Sequence, residues 1–279
     1  MIPFDLEYYA PESIKEAVVI YTELADAGKE PLYYAGGTEI VTFCRQQTIK
    51  PGALIDLKGI AETGLLELDG EKLILGANIT LSCLSEQGHF PLIADVARSV
   101  ADRTARNRLT LGGNICGRLP YRETILPLLT ADAEVVLAGR DGHRTEPLSE
   151  LFDKRLKLEK GEILVQLILA RKELGNKSWV RRREKHGPVD YPLCHMIGVK
   201  KKDHLAVAVS GLCAFPFRSD EIEKVINDSA LSAQEKVEKS TVLLPGAIRS
   251  DELGSDDYRL ALWQKDLVEM LEYMEGAER

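Results

Sequence analysis

The amino-acid sequence predicts an α+β protein of two domains. Its 279 residues are roughly twice the ~150 residues of an average domain. Strand-type and helix-type apolar segments alternate in the first part of the chain, whereas the last part has three strand-type runs and then a long helical tail. The composition, 44% apolar and 29% charged, is that of a globular protein with a sizeable core, and it excludes wholesale disorder.

The first domain is predicted to span residues 1–170. A helix begins near Pro11, which suits a first helical turn, and ends before Gly28. Two short buried strands follow, so the first stretch forms a small β-α-β unit, and Asp69-Gly70 marks a hairpin turn. The predicted strands lie at residues 32–35, 53–57, 65–68, 72–75, 134–138 and 163–169, and the further helices at 81–87, 91–101 and 124–130.

The second domain is predicted to span residues 176–279. The apolar pattern breaks over residues 171–176, which places the domain boundary there. Three strands are predicted at residues 179–183, 195–200 and 205–215, and the tail at 219–274 is mostly helical.

The charge balance and the segment pattern exclude several classes of protein. Lysine plus arginine is 36 and aspartate plus glutamate is 44, so the formal charge is −8. An acidic chain does not carry the basic face of a nucleic-acid binder. No apolar run approaches the roughly 18 residues of a membrane helix. The start of the chain lacks the basic and apolar regions of a secretory signal, so we expect a cytoplasmic protein.

Cysteine and histidine spacing predicts no metal site. The five cysteines are odd in number and widely spread, and the five histidines show no metal-ligand spacing. No catalytic acid–base pair is evident either, so no catalytic residue is assigned.

Two double-glycine segments are the informative features of the sequence. They are Ala35-Gly36-Gly37-Thr38-Glu39 and Thr110-Leu111-Gly112-Gly113-Asn114, each beside an apolar segment. Glycine lets backbone N–H groups approach a phosphate, and successive N–H groups form an anion-binding nest. Two nests could clamp a diphosphate from two sides. The alternative is that each pair is only a tight turn. Neither pair belongs to a G-x-G-x-x-G or P-loop motif, which disfavours those nucleotide sites.

Several motifs in the right order resemble one family, the FAD-binding subunits of the molybdenum hydroxylases (the xanthine dehydrogenase and carbon monoxide dehydrogenase group). The resemblance spans nearly the whole chain. Residues 118–123 depart from it, because Arg118 and Tyr121 replace small residues. The matching segments are AGGTE at 35–39, LGANITL at 75–81, RNRLTLGGNI at 106–115, LPLL at 126–129, DA at 132–133, DYP at 190–192 and SDDYR at 255–259.

The resemblance implies a fold and a cofactor. The fold is a two-lobed FAD-binding domain of the vanillyl-alcohol oxidase (PCMH) type, with lobes at about residues 1–57 and 58–170. A smaller C-terminal α+β domain with a three-stranded antiparallel sheet follows. The two glycine segments would hold the FAD pyrophosphate, and Arg106 would organise the second. Glu123 takes the place of an aspartate that binds the ribose or adenosine side. Lys185, shortly before Asp190, would lie near the flavin, where a cation stabilises the reduced ring. The implied FAD-binding residues are Ala35, Gly36, Gly37, Thr38, Glu39, Arg106, Thr110, Leu111, Gly112, Gly113, Asn114, Glu123, Lys185 and Asp190.

The resemblance also implies an electron-transfer role within a hetero-oligomer. Electrons would pass from 2Fe–2S clusters of a small partner subunit, through FAD, to NAD or another acceptor. A large molybdopterin-binding subunit would hydroxylate the substrate. Two alternatives stay open at this point. One is a flavin-free or weakly flavin-binding scaffold subunit that keeps the fold, and the other is a stand-alone flavin oxidoreductase.

Overall fold

The computed structural model describes residues 2–187, 189–202 and 204–276. The chain divides into two compact units, each assembled from separate stretches of sequence. Unit 1 comprises Met1–His89, Asp102–Arg118 and Asp132–Arg171, and unit 2 comprises Phe90–Ala101, Leu119–Ala131 and Lys172–Arg279. The limits 1–170 and 176–279 stay a prediction, and residues 277–279 of the second predicted domain lie outside the described residues.

The strands and helices follow one another in mixed order along the chain. The strands are β1 Glu7–Tyr9, β2 Pro31–Tyr34, β3 Ala53–Asp56, β4 Leu66–Asp69, β5 Lys72–Gly76, β6 Glu134–Gly139, β7 Gly142–Pro147, β8 Phe152–Asp153, β9 Arg155–Leu156, β10 Ile163–Ala170, β11 Ser178–Arg183, β12 Cys194–Lys200, β13 Leu205–Ser210 and β14 Phe217–Arg218. The helices are α1 Ile14–Asp26, α2 Thr38–Arg45, α3 Leu81–Glu86, α4 Pro91–Ser99, α5 Arg103–Arg106, α6 Leu111–Cys116, α7 Ile125–Thr130, α8 Leu148–Leu151, α9 Asp220–Ile226, α10 Ala233–Val242 and α11 Asp256–Glu275. Among the described residues, none of these helices has the length and apolar character needed to cross a bilayer.

A small parallel sheet opens unit 1. Its strand order is β1-β3-β2, and both pairings are parallel. Helix α1 begins at the N-cap Ser13, whose side chain accepts the N–H of Glu16. Ile14, Ala17 and Val18 on this helix pack in one cluster with Ile55 of β3. The predicted helix and the two predicted strands are α1, β2 and β3, and the β-α-β connections are completed by β1 and α2, which were not predicted.

An antiparallel sheet of five strands forms the rest of the unit 1 framework. Its order is β4-β5-β10-β6-β7. The central strand β10 is long and largely buried, as its run of aliphatic residues predicts. The edge strand β7 is mostly polar, with four of its six residues exposed.

Unit 2 contains an antiparallel sheet with helices packed against it. The sheet order is β11-β12-β13-β14, and α7, α9 and α11 contact its strands. The three predicted strands are all present, and the two-residue β14 is a fourth. Strand β13 ends at Ser210 rather than extending to 215, because Gly211 adopts a φ of +80°. Trp263, Leu267 and Met270 of α11 lie in the core of this unit.

Candidate functional site

A cavity in unit 1 brings the two glycine segments together. It has a volume of about 280 Å³, and residues 35–39 and 110–113 both contribute to its wall. Of the predicted residues, Ala35, Gly36, Gly37, Thr38, Glu39, Thr110, Gly112 and Gly113 line it. The fold thus brings together two glycine segments that lie about seventy positions apart in the sequence.

The first glycine pair turns the chain from β2 into α2. Gly37 is the N-cap of α2 and has a φ of +70°, a left-handed conformation that glycine adopts without strain. At Gly36, an added Cβ would lie 1.8 Å from the carbonyl oxygen of Arg108. The first glycine segment therefore lies so close to the backbone of Arg108, just before the second glycine segment, that no side chain fits at residue 36.

The first segment also offers backbone donors to the cavity. Within the described residues, the N–H groups of Gly36, Gly37 and Thr38 have no hydrogen-bond acceptor. They stand where the first turn of α2 begins, and the unpaired N–H groups of a helix N-terminus carry partial positive charge. This edge of the cavity can accordingly bind an anion.

The second glycine pair does not form the nest that the sequence suggested. Thr110 is the N-cap of α6, and its hydroxyl accepts the N–H of Gly113 at 3.1 Å. The N–H of Gly112 donates to the Ala77 carbonyl oxygen at 2.7 Å, and that of Leu111 to Ile79 at 2.9 Å. The N–H of Asn114 donates to the Thr110 carbonyl oxygen within the helix, at 2.8 Å. Because these four donors already have acceptors, the second segment acts as a wall of the cavity rather than as a set of free amides.

Close packing explains the glycine at position 112. An added Cβ there would lie 2.7 Å from the Cβ of Ala77 and 2.9 Å from its carbonyl oxygen. The LGANITL segment that contains Ala77 therefore packs directly under the second glycine segment. Leu111 itself is fully buried, and neither Leu111, Arg106 nor Asn114 lines the cavity.

Arg118 places a positive charge at the cavity. Among the described residues that line it, Arg118 is the one with a cationic side chain. Its guanidinium carbon lies 5.6 Å from the centre of the Phe43 ring, a cation–π arrangement. The backbone N–H of Arg118 donates to both carboxylate oxygens of Glu39, each at 2.9 Å. Glu39 thereby ties the start of α2 to the residues after α6.

Lys58 fixes the other side of the first glycine segment. Its ammonium donates to the Ala35 carbonyl oxygen at 3.2 Å and to Asp56 at 2.6 Å, and it lies 4.6 Å from the centre of the Tyr34 ring. Asp56 also accepts the Tyr8 hydroxyl, and this bond raises the pKa of Tyr8 to about 12. Lys58 was not among the residues predicted from the sequence. Its position two residues beyond Asp56 at the end of β3 is the only signal that could have indicated it.

Glu123 lies in unit 2, and its carboxylate already has partners there. It is 3% exposed, and it accepts from Arg182 at 2.8 Å and contacts Nδ1 of His195 at 2.6 Å. Burial alone would raise the pKa of Glu123, but the hydrogen bond and charge of His195 and the charge of Arg182 outweigh it, so the pKa is lowered. The charged Glu123 is thus held within unit 2.

Lys185 and Asp190 also belong to unit 2 and are engaged within it. The Lys185 ammonium donates to the carbonyl oxygen of Glu252. Asp190 accepts the backbone N–H of His186 at 2.8 Å, and its carboxylate lies 3.1 Å from the His186 ring nitrogen. The hydrogen bond from the His186 backbone is the main reason why the pKa of Asp190 is lowered. Their roles, like those of Glu123 and Arg106, stay predictions.

Comparisons with known proteins agree with one another. The family model described as the FAD binding domain in molybdopterin dehydrogenase matches residues 4–171. The chain is 28% identical over 231 residues to the carbon monoxide dehydrogenase medium chain of Hydrogenophaga pseudoflava, with 79% of each chain covered. It is 27% identical over 183 residues to the nicotinate dehydrogenase FAD-subunit of Eubacterium barkeri, which covers 62% of this chain and 61% of the relative.

Solved structures show the same fold over nearly the whole chain. Carbon monoxide dehydrogenase from Hydrogenophaga pseudoflava matches with a TM-score of 0.86 at 24% identity, covering 98% of both chains. Quinoline 2-oxidoreductase from Pseudomonas putida 86 matches with a TM-score of 0.84 at 20% identity, covering 96% of both chains.

Proposed function

The chain belongs to the family of FAD-binding domains in molybdopterin dehydrogenases, and from that membership we propose that it passes electrons from 2Fe–2S clusters of a partner subunit to NAD or another acceptor. The family resemblance seen in the sequence is confirmed, as is the fold class. The protein is an FAD-binding oxidoreductase subunit of the molybdenum hydroxylase family.

The observation that carries the proposal for the site is the convergence of both glycine segments on one cavity in unit 1. FAD contains a pyrophosphate with two negative charges. The N–H groups of Gly36, Gly37 and Thr38 without acceptors, together with the Arg118 guanidinium, are the donors that such a group requires. The residues present therefore fit a dinucleotide phosphate bridge.

Each part of the cavity has a separate proposed role. The start of α2 binds the phosphate oxygens through its backbone, and Arg118 supplies the counter-charge. Glu39 positions Arg118 by holding its backbone N–H. Gly112 and Gly113 form part of the cavity wall, and Gly112 allows the segment that contains Ala77 to pack directly against it. Bound FAD supplies the redox chemistry, and the protein supplies its position and electrostatic surroundings.

The proposed partners are a large molybdopterin-binding subunit and a small 2Fe–2S subunit, in a hetero-oligomer. Support comes from the relatives, two of which are named as a medium chain and as an FAD-subunit. A protein so named works beside other chains, and we extend that arrangement to this one.

Affinity purification of the full chain from its native host tests the proposal. We expect the large and small subunits to co-purify, together with a flavin absorbance band at about 450 nm, a property of the cofactor. Anaerobic addition of NADH should bleach this band if NAD is the acceptor. A full chain that carries FAD but turns over a substrate without any partner would refute the electron-transfer role and leave FAD binding intact.

A further inference from the structure

The phenol of Tyr34 lines the cavity of unit 1 beside the first glycine segment. Tyr34 is the last residue of β2, and its ring edge and hydroxyl lie so close to Gly37 that an added Cβ on Gly37 would overlap them. Among the residues that the structure describes, none forms a hydrogen bond with the Tyr34 hydroxyl. This hydroxyl can therefore donate to a ligand without giving up a bond within the protein.

The neighbours of this hydroxyl indicate which part of a ligand it would meet. Gly37 is the N-cap of α2 and carries one of the N–H groups without acceptors, and the others belong to Gly36 and Thr38 on either side of it. An anion is favoured at such a helix start. A hydroxyl that donates to an anionic oxygen forms one of the stronger hydrogen bonds in proteins. The chemistry of Tyr34 thus matches a further phosphate donor.

Lys58 holds the Tyr34 ring in place. Its ammonium lies 4.6 Å from the ring centre, and it also donates to the Ala35 carbonyl oxygen at 3.2 Å and to Asp56 at 2.6 Å. Asp56 is 6% exposed and forms an ion pair with this ammonium. Because that pair neutralises its charge, Lys58 orients its neighbours rather than acting as the counter-charge of an anion.

The bond from Lys58 to Ala35 also orients the next amide. The C=O of Ala35 and the N–H of Gly36 belong to one trans peptide unit, so they point in opposite directions. Lys58 holds the carbonyl oxygen, which keeps the Gly36 N–H directed away from the ammonium. A cation at a carbonyl oxygen also polarises the peptide and makes its N–H a stronger donor. One side chain thereby fixes both the phenol and the first of the free amides.

We propose, on the basis of the FAD site proposed for unit 1, that the Tyr34 hydroxyl donates to an oxygen of the FAD pyrophosphate. Lys58 is the positioning residue that holds the phenol and the peptide between Ala35 and Gly36 for this contact. The phenol adds a neutral side-chain donor to the backbone amides and to the charge of Arg118. Three chemically different groups of this chain then bind the phosphate oxygens.

Titration of the full chain, freed of flavin, with FAD and with ADP tests the role of Tyr34. ADP carries the pyrophosphate without the flavin. Tyr34→Phe removes one oxygen and keeps the ring beside Lys58, so we expect the Kd for each ligand to rise about tenfold. The melting temperature without ligand should stay the same, because the hydroxyl has no partner to lose.

Tyr273→Phe is the matched control. The centre of the Tyr273 ring lies 4.5 Å from the Lys177 ammonium, which is the same kind of contact, but Tyr273 does not line the cavity. This variant also loses one phenolic oxygen, and it should bind FAD and ADP as the wild type does.

The role of Tyr34 and the FAD site itself fail in distinguishable ways. If the wild type binds FAD and Tyr34→Phe binds it equally well, the role of Tyr34 is refuted and the FAD site stands. If the wild type does not bind FAD, both are refuted. A Tyr34→Phe protein that loses affinity for FAD but keeps its affinity for ADP would place the hydroxyl away from the pyrophosphate, and this too would overturn the role.

A double-mutant cycle tests the positioning role of Lys58. Lys58→Met should raise the Kd for FAD about fivefold, and Lys58→Arg should keep most of the affinity because it retains a donor and a cation. Since Lys58 acts in part through the phenol, Lys58→Met should cost less in the Tyr34→Phe background than in the wild type. A merely structural defect would cost the same in both backgrounds, so strictly additive losses would overturn the positioning role.

Discussion

Both carboxylate oxygens of Glu39 lie 2.9 Å from the backbone nitrogen of Arg118. This contact joins residues 79 positions apart and brings the start of α2 next to the segment after α6. The Arg118 residue lines the cavity, with its guanidinium carbon 5.6 Å from the centre of the Phe43 ring. Arg118 stands where the family resemblance implies a small residue, and it lines the cavity to which both glycine segments contribute.

Replacement of Arg118 tests its role as counter-charge. We expect Arg118→Gln to raise the Kd for FAD about tenfold, because a charge-assisted hydrogen bond contributes ~1.5–3 kcal/mol. The dependence of the Kd on salt should also weaken. FAD fluorescence titration of the apoprotein measures both. Arg140→Gln, at an exposed arginine outside this cavity, is the control, and equal affinities in the two variants would contradict the role.

Replacement of Gly36 is expected to lower the stability of the protein as well as its FAD content. Gly36→Ala places a Cβ against the Arg108 carbonyl oxygen, at 1.8 Å in the present geometry. The segments must separate, and we expect a loss of about 3 kcal/mol in the free energy of unfolding together with loss of FAD. Urea denaturation and flavin content measure the two effects. Gly88→Ala, which meets nothing within 4 Å, should change neither, and a stable flavin-loaded Gly36→Ala protein would disprove the packing argument.

Replacement of Glu123 is expected to lower the free energy of unfolding and to leave the affinity for FAD nearly unchanged. Glu123→Gln removes the counter-charge of Arg182 and His195 at a site where Glu123 is 3% exposed, so the free energy of unfolding should fall by about 3 kcal/mol. The Kd for FAD should stay within about twofold of the wild-type value. If the variant instead loses FAD at unchanged stability, the ribose-side role that the family resemblance implies would be supported.

Acid stability is expected to depend on Asp251. Burial opposes its charge, but Arg249, Arg259 and the Leu253 N–H donate to it, and its pKa falls from 3.8 to about 2. A lowered folded-state pKa contributes stability above about pH 4 and loses it as the pH falls towards 2. Asp251→Asn should therefore cost about 2 kcal/mol at pH 7 and flatten the stability curve between pH 4 and 2. The exposed Asp141→Asn variant should follow the wild-type curve in denaturant titrations.

Periodicity predicted those elements whose side chains form the core. Helix α1 and strand β10 were found because their apolar residues face the interior. Helix α2 was missed because Cys44 is its only buried residue, so no apolar stripe marks it. Strand β7 was missed because it is a mostly polar edge strand.

The candidate site was predictable only in part. Glycine pairs beside threonine indicated which segments would meet, and they line one cavity. Hydrogen-bond partners could not be predicted, because the acceptors for the second segment, Ala77 and Ile79, lie some thirty positions earlier in the chain. The same holds for Glu123, whose partners Arg182 and His195 follow about sixty and seventy residues later.

The chain passes between its two units five times, and this constrains how the protein can be divided. Helix α7 lies early in the sequence but contacts strands β12, β13 and β14. A truncation after residue 171 would leave this helix with its apolar face in water and would deprive the sheet of its cover. Gene fission at that position would therefore yield two halves that must be synthesised together to fold, whereas fusion of further domains at either end leaves both units whole.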